Sequence, residues 1–243
     1  YPNSLGLKKI ILDNNYSDSK KLKVLANGSS NGIDTAYFNS ELYSEEQNLK
    51  LKSELGIQAD DFVYIFVGRL VKDKGINEMI SAFELLQKEN SSVKLLLVGD
   101  YENDLDPLNP KTVKSINTNE SILAVGFKND VRPYLAIANV LVFPSYREGF
   151  PNVVMQAGAM GLPSIVSDIN GCNEIIIDQE NGLIIPVKDE MAIFLAMKKV
   201  VSNSCLTSTM ISNSRQMIVS RYEQKVVWEA ILSEYRTFES LNE

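Results

Sequence analysis

Short runs of apolar, largely β-branched residues, half of them closed by a glycine, recur along this chain from residue 62 onward. Between the runs, apolar residues repeat at three- and four-residue steps, as on one face of a helix. Apolar strands interleaved with helices predict a parallel sheet with helices on both faces, the doubly wound, Rossmann-like α/β arrangement. The expected strands are Phe62–Val67, Val93–Val98, Ile122–Val125, Val140–Phe143, Pro163–Val166 and Leu183–Ile185.

The two ends of the chain differ from this central pattern. Near the N-terminus the sequence suggests two more short strands, Lys9–Leu12 and Lys23–Ala26, followed by the turn-forming run Asn27–Gly32. The C-terminal tail shows helical periodicity over residues 191–201, 205–220 and 224–240.

Composition excludes several kinds of chemistry. The 243 residues include no histidine, so a Ser-His-Asp triad, a His-ligated zinc and a histidine base are all excluded within this chain. The net charge of −7 is shared evenly between the two halves, which disfavours a nucleic-acid surface. Cys172 and Cys205 lack basic neighbours and are expected to be inert thiols in a reducing compartment.

No targeting or membrane signal stands out. The apolar runs are far shorter than the ~18 residues of a membrane span, and we expect neither a membrane span nor a signal peptide. The sequence opens Tyr-Pro-Asn instead of with methionine, so we expect it to be part of a longer protein.

The loop after the first predicted strand, Gly68–Gly75, carries three cationic residues between two glycines, of which Arg69 and Lys74 can project over the end of the sheet. Gly68 lets the backbone turn sharply, and Gly75 opens the next helix. Arg69 and Lys74 together favour a clamp for a phosphate or diphosphate, with arginine supplying a bidentate contact. A solvated charged loop is the alternative that composition leaves open.

The loop after the fourth predicted strand, Pro144–Asn152, leads directly into a helix. The free N–H groups and the dipole of a helix start form an anion site. Glu148 lies just before this positive end, where it either only favours the dipole or accepts hydrogen bonds from ligand hydroxyls. Gln156 follows eight residues later, and helical side chains lean toward the N-terminus, so both side chains are expected to face one ligand.

Weaker signals accompany these loops. Asp104-Leu105-Asp106 matches a metal–nucleotide chelating pattern, but three-residue matches are frequent and a solvated loop is favoured. Phe127 follows Gly126 and could stack on a nucleobase, although a core or rim aromatic is more common. The Gly-x-Gly-x-x-Gly dinucleotide fingerprint and the Gly-x-x-x-x-Gly-Lys P-loop are both missing.

Taken together, these residues resemble the C-terminal, donor-binding half of the family 4 glycosyltransferases, which have the two-domain fold called GT-B. The likeness covers about residues 22–200 and is nearest to bacterial enzymes that build capsular, O-antigen (lipopolysaccharide) or exopolysaccharide chains. Several motifs in the right order are far more specific than any single one. They are Asn31–Asp34 with Phe38, Val67–Leu70 with Lys74-Gly75, Val98-Gly99, Val125–Phe127, Phe143–Ser145, Glu148–Asn152, Ala157–Pro163 and Asn181–Leu183.

The resemblance implies a role for each matching residue. Arg69 and Lys74 correspond to the pair that binds the donor diphosphate, and Glu148 to the first glutamate of a Glu-x7-Glu motif, which contacts the donor sugar. The second glutamate, which usually accepts from the ribose hydroxyls, is Gln156 here, and this departure puts the ribose contact in doubt. The catalytic residues implied are Arg69, Lys74 and Glu148; the donor-binding residues are Gly68, Arg69, Lys74, Phe127, Glu148, Gly149, Phe150, Pro151, Asn152, Val153 and Gln156.

The implied activity is the transfer of a hexosyl group from a UDP- or GDP-sugar to a glycan or lipid-linked acceptor, with retained anomeric configuration and without a metal or other cofactor. Residues 1–40 are expected to be a remnant of, and crossover from, a missing N-terminal acceptor domain. Residues 41–200 would bind the nucleotide sugar, and residues 201–243 would add helices to that domain. We expect a cytoplasmic protein that is nearly inactive without its N-terminal domain, and a place at the inner face of the membrane is an alternative that the sequence leaves open.

Two other functions are compatible with these motifs. A nucleotide-sugar epimerase or a phosphorylase shares the fold, although the Glu148–Asn152 loop argues against both. A non-catalytic nucleotide-sugar-binding module is the second alternative, for which Gln156 is the hint.

Overall fold

The computed structural model describes residues 1–102 and 104–241, and within them six parallel strands form one sheet in the order β3-β2-β1-β4-β5-β6. This confirms the predicted doubly wound α/β fold, and each strand boundary lies within one residue of its expected place. The strands are β1 (Phe62–Val67), β2 (Val93–Val98), β3 (Ile122–Ala124), β4 (Val140–Phe143), β5 (Ser164–Ser167) and β6 (Gly182–Ile185).

Helices cover both faces of the sheet. They are α1 (Leu5–Asp13), α2 (Glu45–Glu54), α3 (Ile76–Glu89), α4 (Pro110–Thr118), α5 (Arg132–Ala136), α6 (Asn152–Ala159), α7 (Cys172–Ile175), α8 (Glu190–Ser202), α9 (Ser204–Tyr222) and α10 (Gln224–Leu241). Helix α3 packs against α8, and α6 packs against α9. None of the described helices has the length and apolar character needed to cross a membrane.

The central strands explain why the apolar runs are continuous rather than alternating. In β1 the four residues from Val63 to Phe66 have no exposed surface, and β2 is similarly buried. Parallel strands covered by helices on both faces are apolar at nearly every position, because neither face meets water; the half-buried Lys94 of β2 is an exception. Burial of this kind, at about 25 cal/mol for each Å² of apolar surface, is the main driving force for folding.

The two strands expected near the N-terminus are wrong. Lys9–Leu12 lies inside helix α1, and Lys23–Ala26 is a loop that ends in a turn. The Ser4 side chain caps α1, accepting from the Leu7 N–H at 2.9 Å. The distant Glu174 carboxylate accepts from the backbone N–H groups of Leu5 and Gly6 at 2.7 and 3.0 Å, so a tertiary contact completes the helix start.

Candidate functional site

The strand order reverses between β1 and β4, and the loops that follow these two strands therefore flank the switch point of the sheet. Ligands of doubly wound folds bind in the crevice outside the carboxyl ends of the strands at this point. The two loops are residues 68–75 and 144–151, which are the two that the sequence singled out.

Two glycines allow the loops at this edge to come close together. Gly75 has a φ of 70°, and a β-carbon added there would lie 2.2 Å from the carbonyl oxygen of Pro144 in the β4 loop. At Gly99, after β2, an added β-carbon would lie 1.9 Å from the Gly68 carbonyl oxygen. Any side chain at these positions would push the loops apart.

Lys74 and Glu148 form an ion pair that joins the β1 loop to the β4 loop. Their side chains are only 18% and 16% exposed. The Ser145 hydroxyl also donates to Glu148 Oε1 at 2.8 Å, and the Lys74 ammonium lies 5.5 Å from the centre of the Phe143 ring. The structure therefore brings together two of the three residues expected to be catalytic, in direct contact with each other.

Arg69 forms an ion pair with Glu102, which follows β2. The loops that carry them are tied together by a backbone bridge between Leu70 and Tyr101 and by a 2.8 Å hydrogen bond from the Leu70 N–H to the Asp100 carbonyl. Arg69, Gly68 and Glu102 line a cleft of about 450 Å³ between the β1, β2 and β3 loops.

Phe127 lies at the opposite wall of this cleft, with 66% of its surface exposed. Its backbone N–H donates to Asp100 Oδ1 at 3.0 Å, which fixes the loop after β3 against the loop after β2. An aromatic ring held by its backbone and open to the cleft is able to stack on a planar ligand.

Helix α6 begins beside Glu148 with its first N–H groups uncapped by a side chain. Pro151 is the N-cap residue and makes no side-chain cap hydrogen bond, and Asn152 is the first helical residue. The Asn170 side-chain amide donates to the Gly149 carbonyl at 2.7 Å and to the Glu148 carbonyl at 3.3 Å. The same side chain accepts from the Ser4 hydroxyl at 2.7 Å, so one amide connects this loop to the start of α1.

Three further residues expected to bind the donor are Phe150, just before helix α6, and Val153 and Gln156 within it. The Phe150 ring packs edge-on against Tyr222, with centroids 5.4 Å apart, so its side chain is part of the packing against α9. Gln156 lies on the second turn of α6 and is half-buried, while Val153 lies on the first turn.

The structure also shows contacts that the sequence did not predict. Asp106 Oδ2 accepts from the Asp73 N–H at 2.6 Å, so this aspartate anchors the β1 loop. Arg147 pairs with the Asp73 carboxylate, with an Nε–Oδ2 distance of 2.9 Å. Among the described residues, no cluster of three or more His, Cys, Asp or Glu side chains could hold a metal ion.

Burial sets the protonation of two other groups near this edge. It raises the pKa of the Cys172 thiol well above its ordinary value, and the nearby Glu148 carboxylate raises that pKa further. It also raises the pKa of Tyr101, beside Glu102. The Cys172 thiol therefore stays protonated at neutral pH, in keeping with an inert thiol.

The parallel sheet, its switch point and the covered faces define a Rossmann-like domain. The chain belongs to the family described as "Glycosyl transferases group 1", whose family model matches residues 47–217. The structure superimposes with a TM-score of 0.84 on the Anabaena protein HepE solved in complex with UDP, at 20% identity over 97% of this chain and 62% of that one.

Several curated relatives are named as glycosyltransferases of bacterial polysaccharide or lipopolysaccharide synthesis. The capsular polysaccharide biosynthesis glycosyltransferase CapM of Staphylococcus aureus is 32% identical over 97% of this chain and 60% of its own length. An Escherichia coli UDP-Gal:α-D-GlcNAc-diphosphoundecaprenol α-1,3-galactosyltransferase is 31% identical over 88% of this chain and 54% of its own. The chain thus spans little more than half the length of the relatives it matches.

Proposed function

We propose that this chain is the donor-binding, C-terminal half of a family 4 glycosyltransferase. The whole protein would transfer a hexosyl group from a UDP- or GDP-sugar to a glycan or lipid-linked acceptor in bacterial polysaccharide synthesis, on the cytoplasmic side of the membrane. The observation that carries the proposal is the Lys74–Glu148 pair, which joins the β1 and β4 loops at the switch point of the sheet, with Arg69 on the same β1 loop and the start of helix α6 directly after the β4 loop.

The chemistry needs positive charge at the leaving group. Breaking the bond between the anomeric carbon and the diphosphate leaves negative charge on the departing nucleotide and positive charge on the sugar. Arg69, Lys74 and the uncapped N–H groups of α6 would stabilise that leaving group, so the reaction proposed here is metal-independent.

Glu148 would orient the donor sugar. Its contacts with Lys74 and Ser145 both use Oε1, and we assign Oε2 to the sugar hydroxyls. By the family resemblance, the backbone from Gly149 to Val153 would face the sugar and the distal phosphate, and Asn170 would keep this loop in place through the Glu148 and Gly149 carbonyls. Retention of anomeric configuration follows the family resemblance.

The acceptor would bind to a part of the protein that precedes this chain. CapM and the galactosyltransferase are each considerably longer than the region they share with it. We therefore propose that these 243 residues bind the donor but need an N-terminal domain for transfer.

The binding test is a calorimetric titration of the chain with UDP, GDP, uridine and guanosine. We expect one of the two diphosphates to bind, and to bind more tightly than its nucleoside, because the cationic loops contact only the phosphates. Absence of binding to both diphosphates at millimolar concentrations would contradict the proposal.

A non-catalytic binding module is the second candidate, and Gln156 is the residue that favours it. In the full-length protein, Gln156→Glu should strengthen donor binding by no more than about fivefold, because a charged acceptor improves a hydrogen bond by about 1 kcal/mol. Steady-state kinetics with a UDP- or GDP-sugar measure the change. Gln216→Glu, at an exposed position of α9, is the matched control. A gain in kcat of well over about tenfold would instead favour a module that has lost catalysis.

A further inference from the structure

Both cations proposed to bind the diphosphate already have carboxylate partners in the structure. Lys74 pairs with Glu148, and Arg69 pairs with Glu102, each partner coming from a different loop. The four side chains together carry no net charge, so the clamp is internally neutralised.

The two pairs differ in their exposure to water. In the Lys74–Glu148 pair the side chains are 18% and 16% exposed, and Ser145 supports the carboxylate. In the Arg69–Glu102 pair they are 62% and 30% exposed. An exposed ion pair contributes little to stability and exchanges its partner readily, whereas a buried pair is costly to break.

We propose that Glu102 is a resident counterion of Arg69, which the donor diphosphate displaces, and that Glu102 thereby sets the anion selectivity of the site. The inference rests on the proposed function, because it assigns Arg69 to the diphosphate. Glu102 would then oppose the binding of anions and leave the binding of neutral nucleosides unchanged.

The backbone geometry keeps the competing groups side by side. The Leu70–Tyr101 bridge holds the residues next to Arg69 and Glu102 together, so the Glu102 carboxylate stays near the guanidinium even when another anion occupies it. A diphosphate on Arg69 therefore experiences repulsion from Glu102 as well as the loss of the pair. Two oxygens of a phosphate can accept from the Arg69 guanidinium, as the two oxygens of a carboxylate can. The diphosphate would therefore replace the contact of Glu102 with Arg69 by a contact of the same kind.

Glu102→Gln tests the proposal directly, because glutamine keeps the shape and removes the charge. We expect the affinity for UDP or GDP to rise by about two- to fivefold at low salt, the range of an exposed ion pair. Affinity for uridine or guanosine should not change, and the gain should shrink as ionic strength rises. In the Arg69→Ala background the gain should shrink to the part that comes from removing the repulsion, since the counterion then has no partner to release.

The matched control is Glu89→Gln, which removes the carboxylate of another exposed pair, with Lys198, at the far end of α3. It should leave diphosphate affinity unchanged. A lower diphosphate affinity in Glu102→Gln would show that Glu102 contacts the ligand, and an unchanged affinity would show that the pair does not compete; either result overturns the proposal.

Titration with inorganic pyrophosphate separates this inference from the proposed function. If neither UDP nor GDP binds the unmodified chain, the proposed function fails. Pyrophosphate binding that depends on Arg69 and strengthens in Glu102→Gln would still support the counterion. Pyrophosphate binding that is weak and equal in both proteins would overturn it.

Discussion

Arg69→Ala is expected to weaken UDP or GDP binding by about 1.5–3 kcal/mol, or roughly 10- to 150-fold in dissociation constant. Arginine supplies a charge-assisted contact to the diphosphate, and its removal also leaves Glu102 without its cation at the edge of the cleft. The nucleoside should bind almost as before, because the base and ribose do not depend on the guanidinium. Calorimetry with the diphosphate and its nucleoside measures the difference.

Lys72→Ala is the control for this change, since Lys72 is an exposed cation in the same loop. It should reduce diphosphate affinity only slightly. Substitution of Arg69 tests diphosphate binding better than substitution of Lys74. Removal of Lys74 would leave the buried Glu148 carboxylate without its cation and would lower stability as well. Equal losses of diphosphate and nucleoside affinity in Arg69→Ala would disprove the clamp.

Gly75→Ala should lower the free energy of unfolding by about 3 kcal/mol more than an alanine at an unobstructed glycine, and should lower Tm by about 6–12 °C more. The added β-carbon would lie 2.2 Å from the Pro144 carbonyl oxygen, so the β1 and β4 loops must separate. Differential scanning calorimetry or thermal circular dichroism measures this loss. Diphosphate affinity should fall as well, because the Lys74–Glu148 pair joins the same two loops.

Gly56→Ala separates steric contact from backbone strain. Gly56 has a φ of 69°, against 70° at Gly75, but an added β-carbon at Gly56 meets no atom within 4 Å. It should therefore cost only the strain of a left-handed alanine, about 1 kcal/mol. Similar losses for the two variants would mean that the close approach to Pro144 does not limit stability.

The sheet could be predicted because its signal is local. Each strand contains a short run of apolar residues, most of them buried, because the parallel sheet is covered by helices on both faces. Helix α1 could not be predicted in this way. None of its residues is buried, and its start depends on Glu174, which is far away in sequence. A short apolar run such as Lys9–Leu12 therefore suits a strand equally well.

The candidate site was only partly predictable for a similar reason. The loop positions of Arg69, Lys74 and Glu148 follow from the strand pattern, but their partners depend on which loops the strand order places together. Glu102 lies in the loop after β2, one of those expected at the ligand edge, yet nothing in its neighbouring residues distinguishes it. Only the bridge between Leu70 and Tyr101 identifies it as the partner of Arg69.

The Asn170 amide has a thermodynamic consequence for the chain as a whole. One side chain holds the Gly149 carbonyl through its nitrogen and the Ser4 hydroxyl through its oxygen. When the segment around Ser4 packs against Asn170, the Ser4 hydroxyl favours the amide orientation that also donates to the Gly149 carbonyl. Packing of this segment and ordering of the loop that contains Gly149 are therefore linked. Linkage is reciprocal. The packed segment stabilises the ordered loop by the same free energy by which the ordered loop stabilises the packed segment.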